Sequence, residues 1–293
     1  MKLKQALRER KFVVTSEVQA PPDEDPMALI QRLELVRGRI DGVTVPDLEL
    51  EGVVGDTIRT CELLRKSRFE SIYQTTTRNK PRPQLQKDLM SAHEAGVENL
   101  LVFTEDYRIT GDSLQEMMFF HVDSGKLASV LEHMREGVSV DGSDLPARAE
   151  FVLGAGVESK WGKNVPDLEK KELEEMARIG SSYFLTTPVF DLERFERFMK
   201  EVDRFGIPVI AEVMILRTAG MAQFLNRHVQ SGLVPEHIIR KLSSSVERQK
   251  ASIEIFTEIV SGLKDLCQGI HIIPIGAEDK LRLYLDAARL KRL

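Results

Sequence analysis

The chain has 293 residues, of which 42% are apolar and 30% charged, and its formal net charge is −5. That balance suits a globule with a large core, and the length is near that of a (β/α)8 barrel while also fitting two small domains. No lysine- or arginine-rich run is present to neutralise phosphates, which excludes non-specific nucleic-acid binding, and no apolar stretch reaches the roughly 18 residues of a membrane helix.

In chain order, MKLKQALRERKF reads as a charged helix and not as a signal peptide, so a cytoplasmic protein is expected. Short apolar runs then alternate with amphipathic segments. The runs are FVVTSE (12–17), DGVTV (41–45), SIYQTTT (71–77), NLLVFT (99–104), FVLGAG (151–156), YFLTTPV (183–189), IPVIAEVMI (207–215) and IHIIPIG (270–276). They are nearly continuous in hydrophobicity, as parallel strands buried on both faces should be.

The intervening helices carry their own start and stop signals. Asp25 before Pro26 predicts an N-cap with proline in the first turn, followed by a stripe of Leu29, Ile30, Leu33 and Val36. Leu85, Leu89 and Ala92 run to Gly96, and Leu173, Met176 and Ala177 run to Gly180. Asp191 precedes Phe195, Phe198, Val202 and Phe205 with Gly206 as the stop; later stripes are Ile253, Phe256, Val260 and Leu263, then Leu281, Tyr284, Leu285 and Ala288. Eight strand–helix units predict a single (β/α)8 TIM barrel over residues 1–293, with an open doubly wound sheet as the alternative.

Cys61 and Cys267 have no ligand-spaced partners and read as structural thiols; no metal is expected. Neither G-x-G-x-x-G after the first strand nor G-x-x-x-x-G-K-[ST] occurs. The stretch 107–123, with Met117, Met118, Phe119 and Phe120, is too long for an ordinary connection and reads either as a lid or partner surface or as a loop tucked onto the barrel.

Barrel chemistry gathers at the C-terminal ends of the strands. Those ends hold Glu17, Gln19, Thr44, Asp47, Gln74, Thr76, Arg78, Thr104, Glu105, Asp106, Gly154, Gly156, Glu158, Thr187, Glu212, Arg217 and Glu278, any one of which is by itself an ordinary solvated loop residue. Two carboxylates stand apart. Glu17 directly follows a buried run and precedes Val18, so it points into the barrel mouth, where partial desolvation would raise its pKa and suit it to general-acid work. Asp106 follows the fourth run and would supply fixed negative charge to a cationic intermediate.

Five segments, in order and with matching spacing, resemble methylenetetrahydrofolate reductase, a flavin-dependent barrel. SEVQAPP resembles the family's S-F-E-F-F-P-P, and DGVTVPD its S-V-T segment. TTTRNKPRPQLQKDLMSAHEAGVENLLVFTED resembles the stretch from the third strand to the G-D at the fourth. LTTPVFDLERFERF is similar to I-T-Q-x-x-F-D, and AGMAQFLNRHVQSGLVPEHIIRKL to the F-x-N and I-P segment. The resemblance implies hydride transfer from flavin N5 to 5,10-methylenetetrahydrofolate, giving 5-methyltetrahydrofolate, or the reverse. Glu17 would be the acid that opens the folate ring and Asp106 the anion that holds the pterin. Thr44, Val45, Asp47, Gln74, Thr76, Thr104, Glu105, Asp106 and Glu169 would contact FAD or FMN, and Thr187, Phe190, Arg217 and Met221 would line the folate side.

Departures cluster around the flavin tail. The family's folate-binding glutamine is Thr187; its phosphate-binding lysine and arginine are Glu175 and Met176; its G-Y-P-E-G-H reads GAGVES; and an arginine near the eighth strand is Ala277. The phosphate charge then falls to Lys160 and Lys163 with the backbone N–H groups of Gly154, Ala155 and Gly156. The pattern resembles the form found in anaerobes that use the reductive acetyl-CoA route, where the electron donor is NAD(P)H or a partner redox subunit and the assembly is a homo-oligomer or hetero-complex. Two alternatives remain at this stage: a flavin-free pterin-binding methyltransferase barrel, and a non-catalytic barrel subunit of a larger complex.

Overall fold

The computed structural model describes residues 2–18, 25–46, 49–50, 53–54, 57–76, 80–103, 124–157 and 167–290. The eight apolar runs form eight parallel strands: β1 (Val13–Glu17), β2 (Gly42–Pro46), β3 (Ser71–Thr76), β4 (Asn99–Phe103), β5 (Val152–Val157), β6 (Tyr183–Pro188), β7 (Val209–Met214) and β8 (Gly269–Ile273). Each strand pairs with the next, and β8 returns to β1 with Val13–Ser16 opposite Gly269–Ile272, so the sheet closes into a barrel. Closure removes the open-sheet alternative. A two-residue antiparallel ladder, Glu49–Leu50 against Val53–Val54, follows β2 outside the barrel.

The side-chain period of two sorts every strand onto two faces. Val14, Val43, Val45, Leu100, Val102, Leu153, Ala155, Phe184, Val209, Ala211, Ile270 and Ile272 belong to the large cluster between sheet and helices. Their neighbours Val13, Ile72, Leu101, Val152, Tyr183, Leu185 and Ile210 belong to a smaller cluster that fills the lumen. The predicted N-terminal helix forms over Leu3–Arg8, and its Leu3, Ala6 and Leu7 join this second cluster, closing the N-terminal end of the barrel. The lumen is therefore sealed below, and the opposite rim is its mouth.

Helix ends follow the signals in the sequence. The Asp25 side chain accepts from Met27 N–H ahead of helix Pro26–Glu34, and Asp191 accepts from Arg194 N–H ahead of helix Leu192–Val202. Gly96 and Gly206 take φ of 81° and 62°, the left-handed conformation that ends a helix at little steric cost. Between β7 and β8 the chain builds three helices, Ala219–His228, Glu236–Ser244 and Arg248–Leu263, where one is the rule for the fold. Thr218 caps the first through Met221 N–H. Cys61 is buried and its thiol is pushed up to about 12; Cys267 is half-buried and pushed up to about 11, both by desolvation. Neither thiol is a nucleophile at neutral pH.

Two glycines of β5 act by their missing side chains. A Cβ on Gly154 would stand 2.2 Å from the Tyr183 ring, and one on Gly156 would stand 2.3 Å from the Phe103 ring. The aromatic rings occupy the lumen because these positions are empty. Gly154→Ala is expected to destabilise the fold by about 1–3 kcal/mol through overpacking, read as a lower urea midpoint at unchanged slope. An unchanged midpoint would show that Tyr183 is free to move aside.

Candidate active site

The polar interior begins one layer above the apolar plug. On β1 the lumen positions run Val13, Thr15, Glu17, and register places Thr15 opposite His271 of β8 and Glu17 opposite Thr44 of β2. His271 in turn lies opposite Glu212 of β7. The Thr15 hydroxyl and His271 Nδ1 are 2.9 Å apart, and burial holds the imidazole down to about 3, so the ring is neutral. This pair is a satisfied polar contact in the floor of the cavity.

Glu17 ends its strand half-buried, and the barrel wall around its carboxyl pushes it up to about 7 by desolvation. Glu212 is 6% exposed and is driven well above the usual carboxylate range, first by burial and then by the Glu17 charge. Thr44 is buried beside Glu17, and its Oγ1 has no hydrogen-bond partner among the described residues. Gln74 and Thr76, both half-buried, alternate with buried Thr75 at the end of β3. At the end of β6 the ladder to β7 slips between Leu185 and Pro188, and the Thr186 hydroxyl fills the irregularity. It accepts from Glu212 N–H at 3.3 Å and donates to Thr187 C=O at 2.9 Å. Such a bulge re-aims the strand end at the rim, leaving Thr187 half-buried there.

The site residues expected from sequence divide into three groups. Glu17, Thr44, Gln74, Thr76 and Thr187 sit on strands at one rim. Arg217 and Met221 follow β7 on that side; the Arg217 guanidinium lies against Gly276, whose N–H donates to Glu278 Oε1 at 2.9 Å. Val45 and Phe190 are both buried in the large hydrophobic cluster, and strand parity turns the Val45 side chain away from the lumen. Gly154, Ala155 and Gly156 lie inside β5, paired on one side with Leu101–Phe103 and on the other with Tyr183–Leu185. Glu169 falls in helix Asp167–Ile179, with its side chain outside the described residues. Asp47, Thr104, Glu105, Asp106, Lys160 and Lys163 lie outside the described residues, as does the stretch 107–123.

Sequence reasoning placed Glu212 among many rim residues and passed over His271. The available signal was parity: counting by twos from Ile210, within an otherwise apolar strand, puts Glu212 in the lumen. Among the described residues no group of three or more His, Cys, Asp or Glu side chains could hold a metal, and no helix is long and apolar enough to cross a membrane.

Residues 2–288 match the family model described as methylenetetrahydrofolate reductase. The chain belongs to the methylenetetrahydrofolate reductase family. No curated protein matches it. Among solved structures it is similar to an uncharacterized protein from Clostridium thermocellum that binds two copies of 5-methyl-5,6,7,8-tetrahydrofolic acid, with a TM-score of 0.62 and 14% identity over 99% of this chain and 100% of that one. It is also similar to 2,3-dimethylmalate lyase, a member of the PEP mutase/isocitrate lyase superfamily, with a TM-score of 0.52 and 13% identity over 98% of this chain and 84% of that one. At these identities both likenesses concern the fold alone.

Family membership gives the departures a structural meaning. Met176 is fully buried in the helix–sheet core and Ala277 is 3% exposed, so neither position offers a cation to a cofactor phosphate. Glu175 is exposed on the same helix as Met176 and carries the opposite charge from that expected of the family.

Proposed function

We propose that the protein interconverts 5,10-methylenetetrahydrofolate and 5-methyltetrahydrofolate with a flavin, using Glu17 as general acid. The observation that carries this reading is a carboxyl at the lumen mouth that burial pushes up to about 7, in a chain of the reductase family. A group poised near the working pH can hold a proton and still release it. The methylated folate bound by the Clostridium thermocellum protein of the same fold adds support for the substrate class.

The polar atoms of the mouth fit a planar, hydrogen-bonding guest. Thr44 Oγ1 is buried without a partner among the described residues, and Gln74 offers an amide two strand positions from the rim residue Thr76. Thr44, Gln74 and Thr76 would hold the cofactor, with Asp47, Thr104 and Glu105 as further proposed contacts. The chemistry such a cofactor supplies when bound is hydride, delivered to the methylene carbon. Glu17 would protonate the folate nitrogen that leaves when the five-membered ring opens, and the closed lower end of the barrel keeps water from reaching the acid from below. Asp106 would balance the resulting iminium charge. Thr187 and Arg217 would meet the folate.

The purified protein is expected to be yellow and to oxidise 5-methyltetrahydrofolate with an artificial electron acceptor. A colourless protein without that activity would favour the methyltransferase or non-catalytic readings. The departures at Glu175, Met176 and Ala277 favour a partner redox subunit as electron donor, and rapid bleaching of the flavin by NADH alone would overturn that part.

A further inference from the structure

We propose that Glu17 and Glu212 work as one carboxyl pair holding a common proton, with Glu212 the positioning residue that keeps the acid supplied. The inference rests on Glu17 being the acid of the reaction proposed above.

The strands themselves make the case. Glu17 and Glu212 are the two carboxylates in the eight strands, and no strand contains a lysine or arginine. Both occupy lumen positions: Glu17 is two residues beyond Thr15, and Glu212 is joined to Thr15 across the ladder through His271. Register sets Glu212 level with Thr15, one lumen layer below Glu17 and two strands away, and the Glu17 charge raises the Glu212 carboxyl. Neither carboxyl has a hydrogen-bond or ion-pair partner among the described residues. The titratable groups facing them from the surrounding strands are His271 on β8, held neutral, and Tyr183 on β6, whose phenol burial pushes up. Thr44 on β2 and Gln74 on β3 are uncharged. No cation on these strands offsets a second negative charge, and two like charges in a desolvated cavity cannot both form near neutrality.

The deeper carboxyl therefore stays protonated when Glu17 ionises. When Glu17 gives its proton to the leaving nitrogen of the folate, its O–H bond breaks and the carboxylate remains beside Glu212. Solvent returns a proton to the pair after product leaves, and that proton is distributed between the Glu17 and Glu212 carboxyls. A pair of this kind titrates in two macroscopic steps, the second displaced upward from the first. Above neutrality a lone Glu17 would lose acid function tenfold per pH unit, whereas the pair levels off because its remaining proton is distributed over both sites.

The test is infrared titration of the wild type, Glu17→Gln and Glu212→Gln, together with the pH profile of kcat/KM. The wild type is expected to retain a protonated-carboxyl band above pH 8 that Glu212→Gln lacks, and in Glu17→Gln that band should titrate at lower pH because the neighbouring charge is gone. In Glu212→Gln, kcat/KM should fall with unit slope above neutrality, dropping at least tenfold below the wild type by pH 9. A purely structural role for Glu212 would leave the slopes parallel. Parallel slopes, or no such band in the wild type, would overturn the pair. If Glu212→Gln fails to fold, the wild-type and Glu17→Gln spectra decide the matter. A wild type that shows the band but does not turn over folate would remove the proposed reaction and leave the pair standing.

Discussion

Replacing Glu17 by glutamine is expected to lower the rate of folate reduction by about 10²–10⁴-fold while the protein remains yellow, since that is the usual contribution of a positioned acid. Glu17 closes a strand whose Val13 and Val14 are fully buried, and it faces a lumen plugged below by Leu3, Ala6 and Leu7. Its carboxyl is pushed up to about 7, so a substantial fraction carries a proton at neutral pH. Glutamine keeps the shape and removes the transferable proton. Flavin contacts proposed for Thr44, Gln74 and Thr76 are untouched by the change. Stopped-flow reduction of 5,10-methylenetetrahydrofolate by the prereduced protein isolates the step, and an undiminished rate in the variant would refute the assignment of the acid.

The same substitution is expected to stabilise the fold at alkaline pH, by roughly 2–3 kcal/mol once solvent screening at the rim is allowed for. In the unfolded chain the Glu17 carboxyl ionises near its ordinary value of 4.5, and in the folded protein near 7. Between those values the folded state holds the extra proton, so stability falls as pH rises through this window and stays low above it. Below pH 4.5 both states are protonated and the difference between wild type and Glu17→Gln disappears. Denaturant unfolding at pH 4 and pH 8 measures it directly. A gap of equal size at both values would mean that the carboxyl is solvated after all. A site that destabilises its own fold in this way is characteristic of function held against stability.

How much was legible in advance varies with the range of the interaction. The strand runs match the observed strands to within three residues at every end, because an apolar segment of that length, bounded by turn and cap residues, has one economical way to bury both faces. The caps at Asp25 and Asp191 were legible for a similar reason: a carboxylate accepting from an N–H two or three residues on is a local contact. The packing role of Gly154 and Gly156 was not legible, because a glycine near a strand end looks the same whether or not it makes room for an aromatic ring. The decision rests with Tyr183 and Phe103, which are distant in sequence. Val45 and Phe190 were placed at the site by resemblance; strand parity turns the Val45 side chain toward the helices, and Phe190, beyond the end of β6, is buried in the same cluster.

The sequence by itself determined the alternation of strands and helices, the number of units, and a glutamate at the end of the first strand, since each is written in residues close along the chain. Tertiary structure alone decided that Glu17 and Glu212 occupy lumen positions in the same desolvated space. That placement depends on the register of β1, β8 and β7 around a closed barrel, and desolvation is a property of what surrounds a carboxyl instead of the carboxyl itself.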